Sequence, residues 1–450
     1  MSEKQSRSPG IDTGGQVPAL PSRIPRLDSI DPLYAQVAIP SQKARYAKLA
    51  SAFSGHFPGV GSLSAPLFFS APGRTELCGN HTDHNHGKVL AASIDLDTIA
   101  AAAPRRDGLV RIVSEGFGAF EVDLAELSAL PRERGSSAAI VRGMAAALAA
   151  GRGRDSPVRG FDALVRSDVL PGSGLSSSAA FEVLVGAMFS VFSGLDASPA
   201  EIAEAGRHAE NLYFGKPCGL MDQLACALGN TAAMDFGDPA EAKVELLRFD
   251  PDDYGLSLVI VATGGSHADL TEDYAAIPAE MKAVAAILGR PTLAGTSRKE
   301  LLDRVGEIRG LCGDRAFLRA WHFVGETERS SLLGRAILEG DIGACLAVIK
   351  ASGDSSARFL QNLYPARSPS EQGLTLALAL TEDFLAGSGA CRVHGGGFAG
   401  TIQAYVPLSR LEAYRVLMES VFGEASVFPL RIRPYGVVCI ENPQGASHER

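Results

Sequence analysis

A ten-residue stretch, PGSGLSSSAA from Pro171 to Ala180, sets glycines at 172 and 174 and three consecutive hydroxyls, Ser176, Ser177 and Ser178, ahead of a run of small apolar residues. Glycine lets a backbone turn tightly. The amides and dipole of a helix start converge on negative charge, so this stretch has the makings of a phosphate cradle. It is neither a GxxxxGK[ST] loop nor a GxGxxG dinucleotide fingerprint, so such a cradle is of another type. A serine-rich helix cap that binds nothing is the competing reading. A second stretch, RTELCGNHTDHNHG, packs Arg74, Glu76, Asn80, His81, Asp83, His84, Asn85 and His86 into fourteen residues. Asn, His and Asp offer the mixed donors and acceptors that the hydroxyls of a sugar require, and Arg74 is suited to oppose a developing negative charge. His81, Asp83, His84 and His86 invite a metal reading, but their spacing matches no zinc signature and no distant Cys/His pair completes one. A solvated polar turn is the third reading.

Two acids stand further along. Asp222, in GKPCGLMDQLACALGN, follows a Gly/Pro turn among apolar residues, where a carboxylate serves equally as a helix cap or an active-site group. Glu210, twelve positions earlier, shares a helix face with Arg207 and His208, which alone reads as a solvated face. HGGGFAG, His394 to Gly400, allows close backbone approach to a ligand or another segment, or a plain hairpin turn. Cys218, Met221 and Cys226 read as core.

These residues need a scaffold. At 450 residues the chain exceeds the size at which one core keeps growing, so two domains are expected. The composition, 46% hydrophobic and 21% charged with 49 Gly and 25 Pro, is that of an ordered protein rich in turns. Periodicity gives a helix over 38–57, a short strand in PLFFSAPGR broken by Pro72 and Gly73, strands in KVLAASIDLDTIAAAAP and LVRIVSEGFGAFEVD, and a helix over 137–150. FDALVRSDVLPGSGLSSSAAFEVL reads as strand, loop, helix. Ser198, Pro199 and Glu201 specify a helix start that runs to about Tyr213. GLSLVIVATGG reads as a strand, Tyr274 to Leu288 and about 315 to 351 as helices, with Gly310, Gly313, Gly340 and Gly353 marking turns. CRVHGGGFAGTIQAYVP reads as strand, turn, strand, followed by a helix and a strand, an α+β order. The division is placed near residue 250: a poorly ordered extension over 1–35, domains over 36–250 and 251–441, and a frayed tail over 442–450.

Forty-two Lys and Arg against 51 Asp and Glu give a net charge of -9, with no basic run to engage a nucleic-acid backbone. Seven scattered cysteines without a CxxC pair fit a reducing compartment. The first residues lack an apolar core of a secretion signal, and apolar runs meet acids before reaching membrane-spanning length. A soluble cytoplasmic protein with no membrane or nucleic-acid partner is expected.

GRTELCGNHTDHNHG, PGSGLSSSAAFE and VHGGGFAGT, in this order and with CGLMDQ between the last two, resemble the signature motifs of the kinase superfamily that includes galactokinase, homoserine kinase, mevalonate kinase and phosphomevalonate kinase. The resemblance is closest to the galactokinase family and extends from about residue 45 to 441. It implies a two-domain α+β small-molecule kinase with a ribosomal-protein-S5-like N-terminal domain and a ferredoxin-like C-terminal domain. It implies transfer of the γ-phosphoryl group of ATP, with Mg2+, to the anomeric hydroxyl of galactose or a galactose-like sugar, and a monomer or weak homodimer. By the same resemblance Arg74 and Asp222 are catalytic, and Ser178 and Glu210 are magnesium ligands. Gly172, Ser173, Gly174, Leu175, Ser176, Ser177, Ser178 and Ala179 form the triphosphate loop. Asn80, His81, Asp83, Gly219, Asp222 and Tyr274 fall where sugar contacts are found.

Four positions depart from the family pattern. Asn80 stands where an acid that helps hold the 6-hydroxyl of galactose is usual, which keeps open a kinase for another sugar such as L-arabinose or N-acetylgalactosamine. The segment GSSAAIVRG lacks the aromatic pair often found before the second motif. Leu170-Pro171 inverts the usual order, and the basic continuation after Tyr274 is missing. A catalytically silent sugar and ATP sensor is the alternative of a different class, and the intact SSSAA run with Asp222 favours an enzyme.

Overall fold

Small side chains make the central strand. KVLAASIDLDTIAAAAP, Lys88–Pro104, runs as one strand of 17 residues, almost wholly buried. Its alanines at 91, 92 and 100 to 103 leave both faces thin enough for a layer to pack on each. The structure, a computed structural model, describes residues 17–58, 65–150, 158–170, 172–238, 241–264 and 270–445. Within them the strands are β1 (Arg26–Leu27), β2 (Leu67–Cys78), β3 (Lys88–Pro104), β4 (Leu109–Ser114), β5 (Gly118–Asp123), β6 (Phe161–Ser167), β7 (Thr231–Asp235), β8 (Lys243–Leu247), β9 (Leu256–Ala262), β10 (Ala390–Val393), β11 (Thr401–Pro407), β12 (Val427–Leu430) and β13 (Val438–Ile440). The helices are α1 (Ile39–His56), α2 (Ser137–Ala150), α3 (Ser177–Ser193), α4 (Pro199–His208), α5 (Met221–Leu228), α6 (Thr271–Ile287), α7 (Arg298–Asp303), α8 (Val305–Glu339), α9 (Ile342–Ser355), α10 (Gly373–Leu385) and α11 (Leu411–Phe422).

β3 organises a nine-stranded sheet of order β1-β13-β2-β3-β6-β4-β5. It pairs with β2 along one edge, and along the other with β7 through Lys88–Ala92 and then with β6 through Thr98–Pro104. Helices α2 to α5 cover one face of this sheet, and α1 covers the other with Tyr46, Leu49 and Phe53 against Phe68, Ile99 and Leu164. Four strands form a second, wholly antiparallel sheet of order β10-β11-β9-β12. Counted from β9 that is the 2-3-1-4 order of a ferredoxin-like sheet, with α10 and α11 packed on it through Leu374, Ala377, Tyr414 and Met418. The molecule is thus α+β in two parts, and the chain passes from one sheet to the other between Leu247 and Leu256.

Several sequence expectations need correction. Of the extension over 1–35, residues 1–16 lie outside the described residues. The remainder is packed, with Ile24, Ile30, Leu33 and Tyr34 buried and Arg26–Leu27 paired with β13. β13 itself, assigned with 251–441, pairs antiparallel with β2 and belongs to the first sheet. Pro72 and Gly73 do not break β2: a register shift between Pro72 and Arg74 absorbs them, and the strand continues to Cys78. Gly310 lies inside α8 and Gly353 inside α9, where a Cβ would sit 2.9 Å from the Cβ of Arg392. Gly313 and Gly340 do interrupt and end α8, at φ 84° and 67°. In the tail, residues 442–445 are described and 446–450 are not.

Candidate active site

The loop after β6 reaches α3 through Gly172 and Gly174, both at positive φ (73° and 74°), and through Ser176 at φ 60° in the left-handed region. Only glycine takes such angles without cost, which explains two of the three. Pro171 lies outside the described residues. The loop is held from two sides. From β2, the Arg74 amide donates to the Leu175 carbonyl at 3.0 Å. From the start of β11, the Thr401 hydroxyl donates to the Ser173 carbonyl at 2.8 Å. A Cβ on Gly395 would lie 3.3 Å from the Gly174 Cα, so the glycines of HGGGFAG serve close backbone approach to this loop. His394 stands between Thr75 Oγ1 (3.0 Å) and Thr401 Oγ1 (3.1 Å), and burial, then Arg74 and Arg392, drive its pKa well below the ordinary histidine value.

Asp222, in the first turn of α5, is the meeting point. Arg74 Nε donates to its Oδ1 at 2.9 Å and a terminal guanidinium nitrogen lies 2.7 Å from the same oxygen. Ser176 Oγ donates to its Oδ2, and the other arm of Arg74 donates to the Gly174 carbonyl. Burial raises the Asp222 pKa, but the Arg74 charge and the Ser176 hydroxyl outweigh it and hold the carboxyl below the ordinary aspartate value. Asp222 is therefore an anion at neutral pH.

A cavity of about 250 Å³ opens onto this group and is lined among others by Arg74, Asp222, Ser178, Glu210, His81 and Gly396. On the side of the Arg74–Gly87 stretch, the sugar loop of the family resemblance, His81 is a non-glycine residue at φ 59°, with Nε2 2.9 Å from the Gly396 carbonyl. Burial lowers its pKa to about 4, so the ring is neutral. Asp83 lies against Gly219, where a Cβ would come 2.2 Å from Oδ2, so no other residue fits at 219 without displacing that carboxylate. Asn80 is buried with its amide committed: Nδ2 donates to Glu76 Oε1 (3.2 Å) and the Gly395 carbonyl (2.7 Å), and Oδ1 accepts from Asn362 Nδ2 (2.8 Å). Tyr274 is not among the cavity-lining residues. It stands behind the glycine turn, donating its hydroxyl to the Gly397 carbonyl at 2.9 Å, with its ring centroid 6.5 Å from that of His81.

On the opposite side, Ser178 is exposed on the first turn of α3 and Glu210 sits at the start of a π-helical turn, Ala209–Phe214. Gln223 Nε2 donates to Glu210 Oε2 at 3.1 Å and to Glu182 Oε2 at 3.0 Å, and Lys216 approaches Glu210 at 3.4 Å. Glu182 is buried, its Oε1 has no partner, and burial, then Glu210, push its pKa up to about 8. Oxygen donors alone from Ser178 and Glu210, beside an unpartnered carboxylate oxygen, are the set a hard divalent cation takes, so these residues fit magnesium. Among the described residues no group of three or more His, Cys, Asp or Glu is arranged to hold a metal by itself. Sequence reasoning missed Glu182, Lys216 and Gln223. Glu182 had a signal, an acid four residues after Ser178 on an otherwise apolar helix and hence on its face.

Residues 52–104 match the galactokinase galactose-binding signature and residues 139–230 the N-terminal domain of the GHMP kinases. Galactokinase of Chloroflexus aurantiacus is 33% identical over 364 residues, 77% of this chain and 86% of that protein. Human galactokinase is 30% identical over 370 residues, 80% of this chain and 89% of that one. The solved Lactococcus lactis galactokinase complexed with galactose superposes with a TM-score of 0.73 at 26% identity, covering 87% of this chain and 98% of that chain. A mevalonate kinase structure shares the fold at a TM-score of 0.56 and 13% identity, over 83% of this chain and 99% of that one.

Proposed function

This chain belongs to the galactokinase family, and from that premise we propose which of its residues perform the chemistry. The reaction is ATP-dependent phosphorylation of galactose at its anomeric hydroxyl, giving galactose 1-phosphate and ADP. One observation carries the assignment of roles: Asp222 is bonded at once to Arg74 and to Ser176 of the glycine-serine loop, at the mouth of the cavity that the sugar loop also lines. Residues 172–179 hold the triphosphate through backbone amides and the N-terminus of α3. Asp222 accepts a hydrogen bond from the anomeric hydroxyl and aims its oxygen at the γ-phosphorus. Held ionised by Arg74, it is a weak base, so alignment is its larger contribution and the proton leaves late. Arg74 faces the charge that spreads over the transferring group. His81, Asp83 and the backbone at Gly219 receive the sugar hydroxyls. Ser178 and Glu210 would hold magnesium, which when bound neutralises charge on the phosphates.

The test is phosphorylation of a panel of sugars by purified protein, with the product's phosphate position read by phosphorus NMR. Galactose 1-phosphate is expected. D222N is expected to lose about 10²–10⁴-fold in turnover while galactose affinity stays within a few fold; near-normal turnover removes Asp222 from the chemistry. A second reading, a kinase for L-arabinose or N-acetylgalactosamine, is favoured by Asn80, whose amide is already bonded to protein groups on both atoms and offers no charge to a 6-hydroxyl. Phosphorylation of either in preference to galactose decides for it. All seven cysteines are unbridged, which supports a cytoplasmic setting, and light scattering tests our expectation of a monomer or weak homodimer.

A further inference from the structure

Two buried side chains of α8, four residues apart and so on one helix face, grip the main chain of the sugar loop. Glu326, with no exposure, lies far from the loop in sequence, yet its Oε1 accepts the amide of Gly79 at 3.0 Å and that of Asn80 at 3.4 Å. The same oxygen accepts the Cys78 thiol at 3.4 Å and the Ser352 hydroxyl, and Oε2 accepts Arg329 Nε at 2.7 Å. One turn earlier His322, also without exposure, has Nε2 3.0 Å from the carbonyl of Asn80 and Nδ1 2.9 Å from Ser355 Oγ. The carbonyl can only accept, so Nε2 donates and Nδ1 accepts. Both polar groups of residue 80's backbone are thereby fixed from one helix.

The loop needs such a hold. Gly79 lies at φ 112°, and His81 at φ 59° is in a region that side-chain-bearing residues adopt only when their surroundings over-determine it. His81 and Asp83, which line the cavity, follow directly on the gripped residue. Neither His322 nor Glu326 lines the cavity itself.

We propose that His322 and Glu326 are positioning residues for sugar recognition: a two-point clamp from α8 that keeps the backbone of residues 79–81 in the one conformation presenting His81 and Asp83 to the sugar. The inference rests on the reading of His81 and Asp83 as sugar contacts. Its test is steady-state kinetics of E326A and E326Q beside H81A. E326A is expected to raise the galactose KM roughly 10- to 100-fold, the scale of a displaced binding group, with the ATP KM within about two-fold of the parent. E326Q retains an oxygen for the two amides and is expected to recover part of that loss, whereas E326L, which fills similar space without an acceptor, is expected to lose as much as E326A. If E326A does not fold, H322L, which removes the donor to the Asn80 carbonyl, is read in the same way. A folded variant with unchanged galactose KM, or with galactose and ATP KM rising together, overturns the clamp. An H81A protein with unchanged galactose KM instead overturns the sugar-contact reading beneath it.

Discussion

Three carboxyl groups at the site, Asp222 partly exposed and Glu182 and Glu76 buried, face three different fates, and each is set by what stands beside it. Asp222 has a guanidinium and a hydroxyl, and stays charged. Glu182 has only an amide and a second acid, so it keeps its proton to about pH 8. A carboxyl with a raised folded pKa contributes stability that is full below its unfolded value, about 4.3, and drains away as pH climbs through the folded one. E182Q, locked in the neutral state, should therefore gain thermal stability over the parent as pH goes from 5 to 8; a calorimetric difference that is the same at both ends contradicts this. Glu76, the third, is buried and tied to Arg392 at 2.6 Å, and with the Gly395 carbonyl it points an acceptor at residue 80. That arrangement selects an amide there, because a carboxylate would meet two acceptors. N80E should lose about 1–3 kcal/mol of stability in urea unfolding, or more if its charge persists.

Elements explain which parts were legible beforehand. The start of α4 was, because Ser198, Pro199 and Glu201 form a complete capping box within four residues, with both reciprocal bonds present. So were the loop before α3 and the glycine turn before β11, whose composition has few other uses. β2 was misread because Pro and Gly are ordinarily punctuation, whereas here Gly73 is required by an approach from elsewhere: a Cβ would lie 2.8 Å from the Leu175 carbonyl and 3.0 Å from Val169 Cγ1. G73A should push the loop before α3 aside and, if that loop holds the triphosphate as proposed, raise the ATP KM roughly 10-fold, with a smaller effect on galactose; an unchanged ATP KM would separate the strand from the loop. Glu182, Gln223 and Glu326 escaped notice for a related reason. Their partners lie 41, 13 and 247 residues away, and the spacing of Glu182 from Ser178 is the single local trace among them.

Over the whole molecule, the other face of the first sheet has a polar joint of its own. Asp97, fully buried on β3, accepts from Tyr34 (2.5 Å), Arg45 (2.5 Å), Ser70 and Arg433 (3.1 Å), tying an N-terminal segment, α1, β2 and the segment before β13 to the central strand. Burial works against its charge, but Arg45 and Arg433 win and hold its pKa below the ordinary value. Its contribution is thus full above the unfolded value, about 3.9, and drains away as acid carries the solution down through the depressed one. D97N leaves Arg433 buried without its counter-charge and should cost about 3–5 kcal/mol in denaturant unfolding. Both KM values should stay unchanged, since the joint lies away from the cavity; a selective change in either would tie it to the site.

β13 occupies the place between β1 and β2, so the sheet built by the first half of the chain is closed by its last described strand. On the ribosome, β2 therefore waits with a bare hydrogen-bonding edge until the residues of β13, far behind it in the chain, have been made. A transcript cut short just ahead of Val438 would encode every residue that lines the cavity at Asp222 and still release a product with that edge open to its neighbours.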